Sequence, residues 1–298
     1  VRVSTLPSRY GERVTMRLLD TRNALLGLDE LGMDETTLNR VREMLVQPNG
    51  ITLVTGPTGS GKTTTLYSAL SVLNNGERNV MTLEDPIEYG LDGISQTQMH
   101  HKVGLTFAAT LRAILRHDPD VVMVGEIRDL ETSKVAFEFA STGRPVLSTV
   151  HTNSAAGAIQ RLRDMGIEPY VLAATLKAVI AQRLVRKLCD HCKKPHAASA
   201  DELAMFGLTA EEAPQFWRPT GCMACGNSGY NGRLGVYELI TVDGPLRDLI
   251  RADGSEDAIQ DLALSKYDTL FRNAARYVQA GQTSVEEVLR VCRREEER

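Results

Sequence analysis

Apolar and polar residues alternate over residues 1–20 and then change to a helical spacing. With a turn at residues 7–11, the alternation predicts a β-hairpin. Residues 34–46 begin with Asp34, a candidate N-cap, and their spacing predicts an amphipathic helix. Its apolar positions are Leu38, Val41, Met44 and Leu45. Since a lone hairpin is marginally stable and this one begins at Val1 without an initiator methionine, we expect the chain to be a piece of a longer protein.

From residue 51 onwards, short runs rich in β-branched residues alternate with segments of helical spacing. The expected strands are residues 51–55, 80–84, 121–124 and 146–150. The expected helices are residues 64–70, 107–117, 130–141, 154–165 and 170–184. Strands that alternate with helices predict an α/β fold with a mostly parallel sheet. Ligands of such sheets bind at the carboxyl ends of the strands.

The segment after the first of these strands, residues 56–63, fits the phosphate-loop pattern G-x-x-x-x-G-K-[ST]. A strand precedes it and a helix follows, so consecutive backbone N–H groups and the positive helix end converge on one anion site. We expect Lys62 to reach the β- and γ-phosphates of a nucleotide and the Thr63 hydroxyl to bind Mg²⁺. The expected nucleotide-binding residues are Gly56, Pro57, Thr58, Gly59, Ser60, Gly61, Lys62, Thr63 and Thr64.

Candidate site residues also occur at the ends of three further expected strands. These residues are Glu84, Asp85 and Glu88 after the second strand, Gly125 and Glu126 after the third, and His151 after the fourth. Gly125 stands where a Walker B strand commonly has the Asp that holds Mg²⁺, so we expect the acids of residues 84–88 to compensate. His151 is predicted to sense the γ-phosphate or to donate a hydrogen bond to it, with a structural role as the alternative.

Hydrolysis of ATP also needs positive charge beside the γ-phosphate. Candidate arginines lie near the third strand and on the hairpin: Arg112, Arg116 and Arg128, and Arg2, Arg9, Arg13 and Arg17. Such arginines often come from another domain or subunit. We therefore expect a ring in which closure of the site is coupled to rotation between domains.

Composition narrows the class of protein. The chain has 298 residues, 42% of them hydrophobic and 24% charged, which is typical of globular protein with two or more domains. The net charge of −4 argues against a broad nucleic-acid footprint, so we expect no nucleic-acid partner. We find no apolar run of the roughly 18–20 residues that span a bilayer, and no signal peptide.

Four of the five cysteines form two C-x-x-C pairs, Cys189 with Cys192 and Cys222 with Cys225. This spacing favours a structural Cys₄ zinc site, with disulfides as the alternative. His191 is a candidate substitute ligand. The remaining Cys292 is expected to be a plain thiol. The neighbouring lysines that could offset the charge of four thiolates are Lys187, Lys193 and Lys194.

These motifs together resemble the secretion and pilus-assembly ATPases, most closely the type II secretion traffic ATPases. The matching stretches are residues 1–8, 11–14, 56–65, the "Asp box" 84–88, 118–129, 148–152, both cysteine pairs and 283–288. The likeness covers essentially the whole chain.

The resemblance assigns roles to individual residues. Glu88 would activate water, and Glu126 would be the Walker B acid that assists Mg²⁺ through water. His151 would be the "His box" residue, and Arg2 and Arg17 would reach the nucleotide when the N-terminal domain closes. The expected catalytic set is Lys62, Glu88, Glu126, His151, Arg2 and Arg17.

The resemblance also implies a RecA-like ATPase core with a Cys₄ zinc insertion and a C-terminal helical subdomain. The chain is expected to divide into four parts. These are the last hairpin of an N-terminal domain (residues 1–22), the core (23–185), the zinc insertion (186–235) and the helical subdomain (236–298). Within the insertion, residues 197–213 are predicted to be helical. Arg144 departs from the family, because many relatives have a second histidine there. Arginine cannot act as a base, so we leave Arg144 out of the catalytic set.

The implied assembly is a homohexamer that works at the cytoplasmic face of the inner membrane with ATP, Mg²⁺ and Zn²⁺. Its partners would be a membrane platform protein and a cytoplasmic recruiting domain, which would bind an N-terminal region that this chain mostly lacks. The nearest alternative is a type IV pilus extension ATPase. Two further alternatives are a nucleic-acid translocase and a non-catalytic zinc adaptor. The acidic net charge argues against the translocase. The complete set of site residues argues against the adaptor.

Overall fold

A mixed sheet of seven strands organises the computed structural model, which describes residues 2–17, 26–212 and 215–292. Across the sheet the strands are β11 (Tyr230–Thr241), β8 (Leu176–Leu188), β3 (Gly50–Thr55), β7 (Pro145–Val150), β6 (Val121–Val124), β4 (Val80–Glu84) and β5 (Ser95–Gln98). All neighbours are parallel except β11 and β8, which are antiparallel. The predicted α/β class with a mostly parallel sheet is confirmed.

Helices cover both faces of this sheet. They are α1 (Glu35–Leu45), α2 (Lys62–Leu73), α3 (Phe107–Ile114), α4 (Leu130–Ser141), α5 (Ala155–Asp164), α6 (Pro169–Thr175), α7 (Ala200–Phe206), α8 (Gly244–Arg251), α9 (Glu256–Leu264), α10 (Leu270–Gln279) and α11 (Val285–Val291). Alternate residues of β6 enter opposite cores, Val122 with α3 to α5 and Met123 with α1 and α2. This two-sided burial explains why the strands are continuous apolar runs.

Side-chain caps begin most of the helices. Asp34 accepts a hydrogen bond from the Thr37 amide at 3.0 Å and starts α1, as predicted. Helix α2 differs, because it follows Gly61, whose φ of 90° is left-handed and which offers no side-chain cap. Its first backbone N–H groups are therefore directed at whatever occupies the preceding loop.

The hairpin is confirmed as β1 (Arg2–Ser8) paired antiparallel with β2 (Gly11–Arg17). Its side chains from residue 3 to residue 16 are exposed. A second small sheet pairs β9 (Lys194–Ala197) with β10 (Gln215–Arg218). Among the described residues, no helix has both the length and the apolar character to span a bilayer.

The prediction of one helix over residues 170–184 is wrong. Helix α6 ends at Thr175, and the chain continues as β8, which is paired on one side with β3 and on the other with β11. Ala197 is the last residue of β9, and the described residues 198–212 contain only the short α7. Residues 236–241, at the start of the expected helical subdomain, are the end of β11. Non-local pairing outweighs helix propensity in these segments.

The expected domain boundaries at 185/186 and 235/236 fall within β8 and β11. The two strands are paired from Leu188 opposite Tyr230 to Ala178 opposite Thr241. The segment that contains the cysteines therefore leaves and re-enters the main sheet along one antiparallel ladder. The division into four domains remains a prediction.

Candidate nucleotide site and candidate metal centre

Four neighbouring parallel strands end at one edge of the sheet. Strand β3 leads into the phosphate loop, β7 into His151, β6 into Gly125 and Glu126, and β4 into Asp85. Their order across the sheet is β3, β7, β6 and β4. The topology of the sheet therefore brings the predicted motifs together at this edge.

The phosphate loop depends on glycine at two positions. Gly56 has a φ of 147°, and an added Cβ would lie 2.4 Å from the carbonyl oxygen of Gln182. Gly61 has a φ of 90°, and an added Cβ would lie 2.8 Å from the Gln182 side-chain amide. Larger residues are excluded at both positions by backbone conformation and by space.

Lys62 is the first residue of α2, and its ammonium group folds back over the loop. Its Nζ donates hydrogen bonds to the carbonyl oxygens of Gly56, at 2.8 Å, and Pro57, at 3.0 Å. Burial lowers the pKa of Lys62, while the Glu126 carboxylate opposes this effect and Arg183 adds to it. A partly desolvated cation thus sits at the amino end of α2, a position that suits an anionic ligand.

Ser60 gives a further indication of a ligand. Its side chain is 3% exposed, and its Oγ has no hydrogen-bond partner within the described residues. Buried hydroxyls are normally paired. Together with the uncapped N–H groups of α2, this hydroxyl fits the polyanionic phosphates of a nucleotide.

Glu126 and His151 meet beside the loop. The Arg128 Nε lies 2.6 Å and the His151 Nε2 lies 3.5 Å from the same oxygen of Glu126. The Glu126 side chain is only 11% exposed, whereas His151 is 45% exposed. The carboxylate is therefore sheltered between Arg128 and His151, and the imidazole is accessible to a ligand.

The His151 loop is tied to the strand that precedes the phosphate loop. The hydroxyls of Thr55 and Thr152 lie 2.7 Å apart, and the Thr152 amide donates to the Thr55 hydroxyl at 3.0 Å. These contacts fix the two loops relative to each other.

The acids of residues 84–88 have different environments. Glu84 is 3% exposed and accepts hydrogen bonds from Thr82 at 2.6 Å, from Gln96 at 3.0 Å and from the Tyr67 hydroxyl. The expectation that Glu84 supplies acid to Mg²⁺ is therefore wrong, because its carboxylate is committed to the interior. Asp85 lies 3.2 Å from His101, and Glu88 is half-buried.

Two residues of β8 belong to the site but were missed by sequence reasoning. The Thr65 hydroxyl of α2 donates to the Gln182 side chain at 2.8 Å. Arg183 is 8% exposed and donates to the carbonyl oxygen of Asn153 at 2.7 Å, next to the His151 loop. The available signal was a Gln-Arg pair inside an otherwise apolar run, since such a pair is buried only when it has partners.

The other predicted arginines are distributed more widely. Arg112 pairs with Glu131 at 2.8 Å. Arg144, which is not in the expected catalytic set, pairs with Asp118 at 2.5 Å and lies before the amino end of β7, away from the phosphate loop. Arg2 and Arg17 are cross-strand partners in the hairpin register, but their side chains lie outside the described residues.

The four paired cysteines form one cluster. Their sulfurs all lie within 4.8 Å of one another, and three of the separations are 3.9, 3.9 and 3.8 Å. A tetrahedral zinc site with Zn–S bonds of about 2.3 Å has S–S edges of about 3.8 Å. A disulfide would require about 2.05 Å, and all five cysteines are free. The arrangement fits a metal ion and not a pair of disulfides.

Backbone amides near the second cysteine pair, Cys222 and Cys225, favour the thiolate form of Cys225. Cys222 N and Gly229 N each lie 3.2 Å from the Cys225 sulfur. Burial acts to raise the pKa of Cys225, but these hydrogen bonds outweigh it and lower the pKa to about 6. Lys187 and Lys193 lie 3.1 and 3.0 Å from Asp190, so Asp190 takes part of the positive charge expected for the cluster.

Comparison of sequences places this chain among secretion proteins. Residues 1–290 match the profile of the family described as Type II/IV secretion system protein. Type II secretion system protein E of Aeromonas hydrophila is 53% identical over 293 residues, and Type II secretion system ATPase E of Vibrio cholerae is 50% identical over 293 residues. Each match covers 98% of this chain and 58% of the relative, so the chain spans about three-fifths of their length.

Solved structures agree with the fold. The pilus retraction motor PilT with bound ADP matches with a TM-score of 0.70 and 28% identity, over 96% of this chain and 72% of that one. The ATPase DotB of Legionella pneumophila matches with a TM-score of 0.70 and 23% identity, over 96% of this chain and 70% of that one. The second likeness is one of fold alone.

Proposed function

Since the chain belongs to the Type II/IV secretion system protein family, we propose that it hydrolyses ATP and that this hydrolysis drives pseudopilus assembly and protein export by a type II secretion system. The observation that carries the proposal is the meeting of the phosphate loop, Glu126 and His151 at one edge of the sheet. The relatives at about 50% identity are named type II secretion system proteins, and this supports the choice of a type II secretion system.

In this proposal each group of the site has one task. The backbone amides and glycines of residues 56–64 bind the phosphates, and Lys62 neutralises charge on the terminal ones. Glu88 accepts a proton from the attacking water. Glu126, held by Arg128, would assist Mg²⁺ through water. Mg²⁺ bound with ATP would neutralise charge on the phosphates, and Thr63 is its candidate ligand.

His151 and the hairpin arginines complete the proposed machinery. His151 donates a hydrogen bond toward the γ-phosphate from its place beside Glu126. Arg2 and Arg17 add positive charge when the N-terminal domain closes over the nucleotide.

The cysteine cluster has a structural role in this proposal. Cys189, Cys192, Cys222 and Cys225 would hold one Zn²⁺, because their sulfur separations match a tetrahedral site. A closed Cys₄ site has no open coordination position, so it stabilises the fold and takes no part in hydrolysis.

The proposed assembly is a homohexamer at the cytoplasmic face of the inner membrane. Its proposed partners are the platform protein and the cytoplasmic recruiting domain of the secretion machine. A type IV pilus extension ATPase is the second candidate, and the likeness to PilT favours a related motor. The identity of 28% to PilT against about 50% to the secretion relatives makes secretion the preferred assignment.

Two substitutions separate binding from chemistry. Lys62→Ala is expected to abolish productive ATP binding, because the phosphates lose their fixed cation. Glu88→Gln is expected to retain ATP affinity and lose turnover, because the water loses its base. Nucleotide affinity and ATP turnover are measured on both variants, with the exposed Glu138→Gln as a charge-matched control. Normal turnover in Glu88→Gln would contradict the assigned role, and the absence of turnover in the parent would contradict the proposed activity.

A further inference from the structure

Three polar side chains from three different elements, two of them buried and one half-buried, meet next to the loop that contains Glu88. They are Tyr67 of α2, Glu84 of β4 and Gln96 of β5, and we call them the tyrosine cluster. The Tyr67 hydroxyl donates to one oxygen of Glu84, and Gln96 donates to the other at 3.0 Å. Tyr67 is 1% exposed. Glu84 is also buried and Gln96 is half-buried, and polar groups that are all bonded to one another hold their elements in one arrangement.

The tyrosine cluster fastens residues 85–91, the loop after β4. The Gln96 side chain accepts a hydrogen bond from the Leu91 amide at 2.6 Å and donates to the Tyr89 carbonyl oxygen at 3.2 Å. The ring of Tyr67 packs edge-to-face on that of Tyr89, with centroids 4.6 Å apart. Glu88 therefore lies between Glu84, which belongs to the cluster, and two residues that the cluster holds.

The same cluster is rigidly connected to the phosphate loop. Tyr67 and Lys62 lie on one helix, α2, five positions apart, which is about 7.5 Å along its axis. Because a helix does not stretch, a hydrogen bond from Tyr67 fixes the distance between the phosphate-binding end of α2 and the Glu88 loop. Among the described residues, no other side chain of α2 donates a hydrogen bond to Glu84.

We propose that the Tyr67 hydroxyl is a positioning group that sets Glu88 relative to the phosphate loop. It acts through Glu84 and the loop, and it does not touch the nucleotide. The inference rests on the proposed ATPase function and on the role of Glu88 as the base. Burial, with the Glu84 carboxylate as a second cause, raises the pKa of Tyr67. The hydroxyl thus remains a donor at any pH used in an assay.

The neighbouring Tyr89 provides a matched control. Its hydroxyl is buried and has no hydrogen-bond partner within the described residues. Tyr67→Phe and Tyr89→Phe each remove one buried hydroxyl from the same ring pair and keep both rings. Only the first substitution removes a bond that connects α2 to β4.

The test measures kcat and KM for ATP in both variants. Tyr67→Phe is expected to lower kcat about 10- to 100-fold, since misplacement of a reacting group by about 1 Å costs that much. Its KM should stay within twofold of the parent, and Tyr89→Phe should keep both constants. Unchanged kcat in Tyr67→Phe, or equal losses in the two variants, would overturn the proposal.

A double variant separates positioning from general damage. In the Glu88→Gln background, Tyr67→Phe should cause no further loss of residual turnover, because its effect acts through Glu88. A further loss would show that Tyr67 acts on the fold at large and would refute the proposal. If Tyr67→Phe does not fold, Gln96→Met tests the same loop attachments from β5, with the same expected fall in kcat. Full activity of Glu88→Gln itself would instead show that the proposed function of Glu88 had failed.

Discussion

Glu287 provides a sharp stability prediction, because its buried carboxylate joins the last described helix to the central sheet. Its side chain is 0% exposed. It accepts hydrogen bonds from the Arg186 amide at 2.9 Å, from the Arg186 guanidinium at 2.9 and 2.7 Å, and from Arg290 at 2.8 and 2.6 Å. Charge-assisted pairs of this geometry are the strong class of hydrogen bond.

The contribution of the Glu287 carboxylate to folding stability follows from its pKa. Burial acts to raise this pKa, but the hydrogen bonds from Arg290 and Arg186 outweigh burial and lower it from 4.5 to about 2. At about 1.36 kcal/mol for each pH unit, the difference corresponds to about 3 kcal/mol of folding stability. Because the folded pKa is the lower one, this stabilisation is fully present above pH 4.5 and is lost as the pH falls toward 2.

The assay is urea unfolding of the parent, Glu287→Gln and Glu286→Gln at pH 7 and pH 3. Glu286 is the exposed neighbour in the same helix and controls for the loss of a charge. At pH 7 Glu287→Gln should lower the free energy of unfolding by about 3 kcal/mol, and the deficit should shrink by about half at pH 3. A deficit that does not change with pH, or one equal to that of Glu286→Gln, would refute the reasoning.

Two further predictions concern the metal and the hairpin. Protein purified without chelator should contain one zinc per chain, and removal of the zinc should melt residues 186–235 first and spare nucleotide binding; elemental analysis that finds no zinc would contradict this. Arg2→Ala or Arg17→Ala should lower ATP turnover by about 10³-fold and weaken ATP binding far less, while turnover per subunit rises with protein concentration. Fully active arginine variants, with turnover independent of concentration, would rule out closure by the hairpin in a ring.

The parts of the fold that sequence alone predicted are those determined by local pattern. Residues 51–55 and 146–150 were expected as strands, and the structure has Gly50–Thr55 and Pro145–Val150. Their continuous β-branched runs identify strands buried on both faces. The glycine pattern of the phosphate loop was equally local, because its positive φ values exclude other residues.

Glu84 shows the limit of reasoning from strand ends. An acidic residue at the carboxyl end of a parallel strand lies near the edge of the sheet where ligands bind. The direction of its side chain, however, depends on which residues cover the strand there. Here Tyr67 and Gln96, which are distant in sequence, bring donors to Glu84 and make it part of the interior. A buried carboxylate requires such partners, and the sequence does not show which residues supply them.

The prediction of a helix over the segment that forms β8 is the main error of the sequence analysis. This same segment connects the two candidate sites. Its apolar spacing suits a helix, and only pairing with β3 and β11 makes it a strand. Gln182 lies against the glycines of the phosphate loop, Arg186 pairs with Glu287, and Cys189, the residue after β8, is the first of the four clustered cysteines.

The position of these residues along β8 explains how the cysteine cluster can be structural without being catalytic. From Gln182 to Leu188, the residue before Cys189, the strand spans about 20 Å at about 3.3 Å per residue. Over this length Arg186 and the partners of β8 hold the strand independently of any metal. Loss of the metal should therefore loosen the ladder first at Leu188 and Tyr230, while the pairing of Ala181 with Thr55 beside the phosphate loop stays intact. Hydrogen exchange that is faster at Leu188 than at Ala181 after chelation would support this order, and equal acceleration at both would show that the metal stabilises the whole strand.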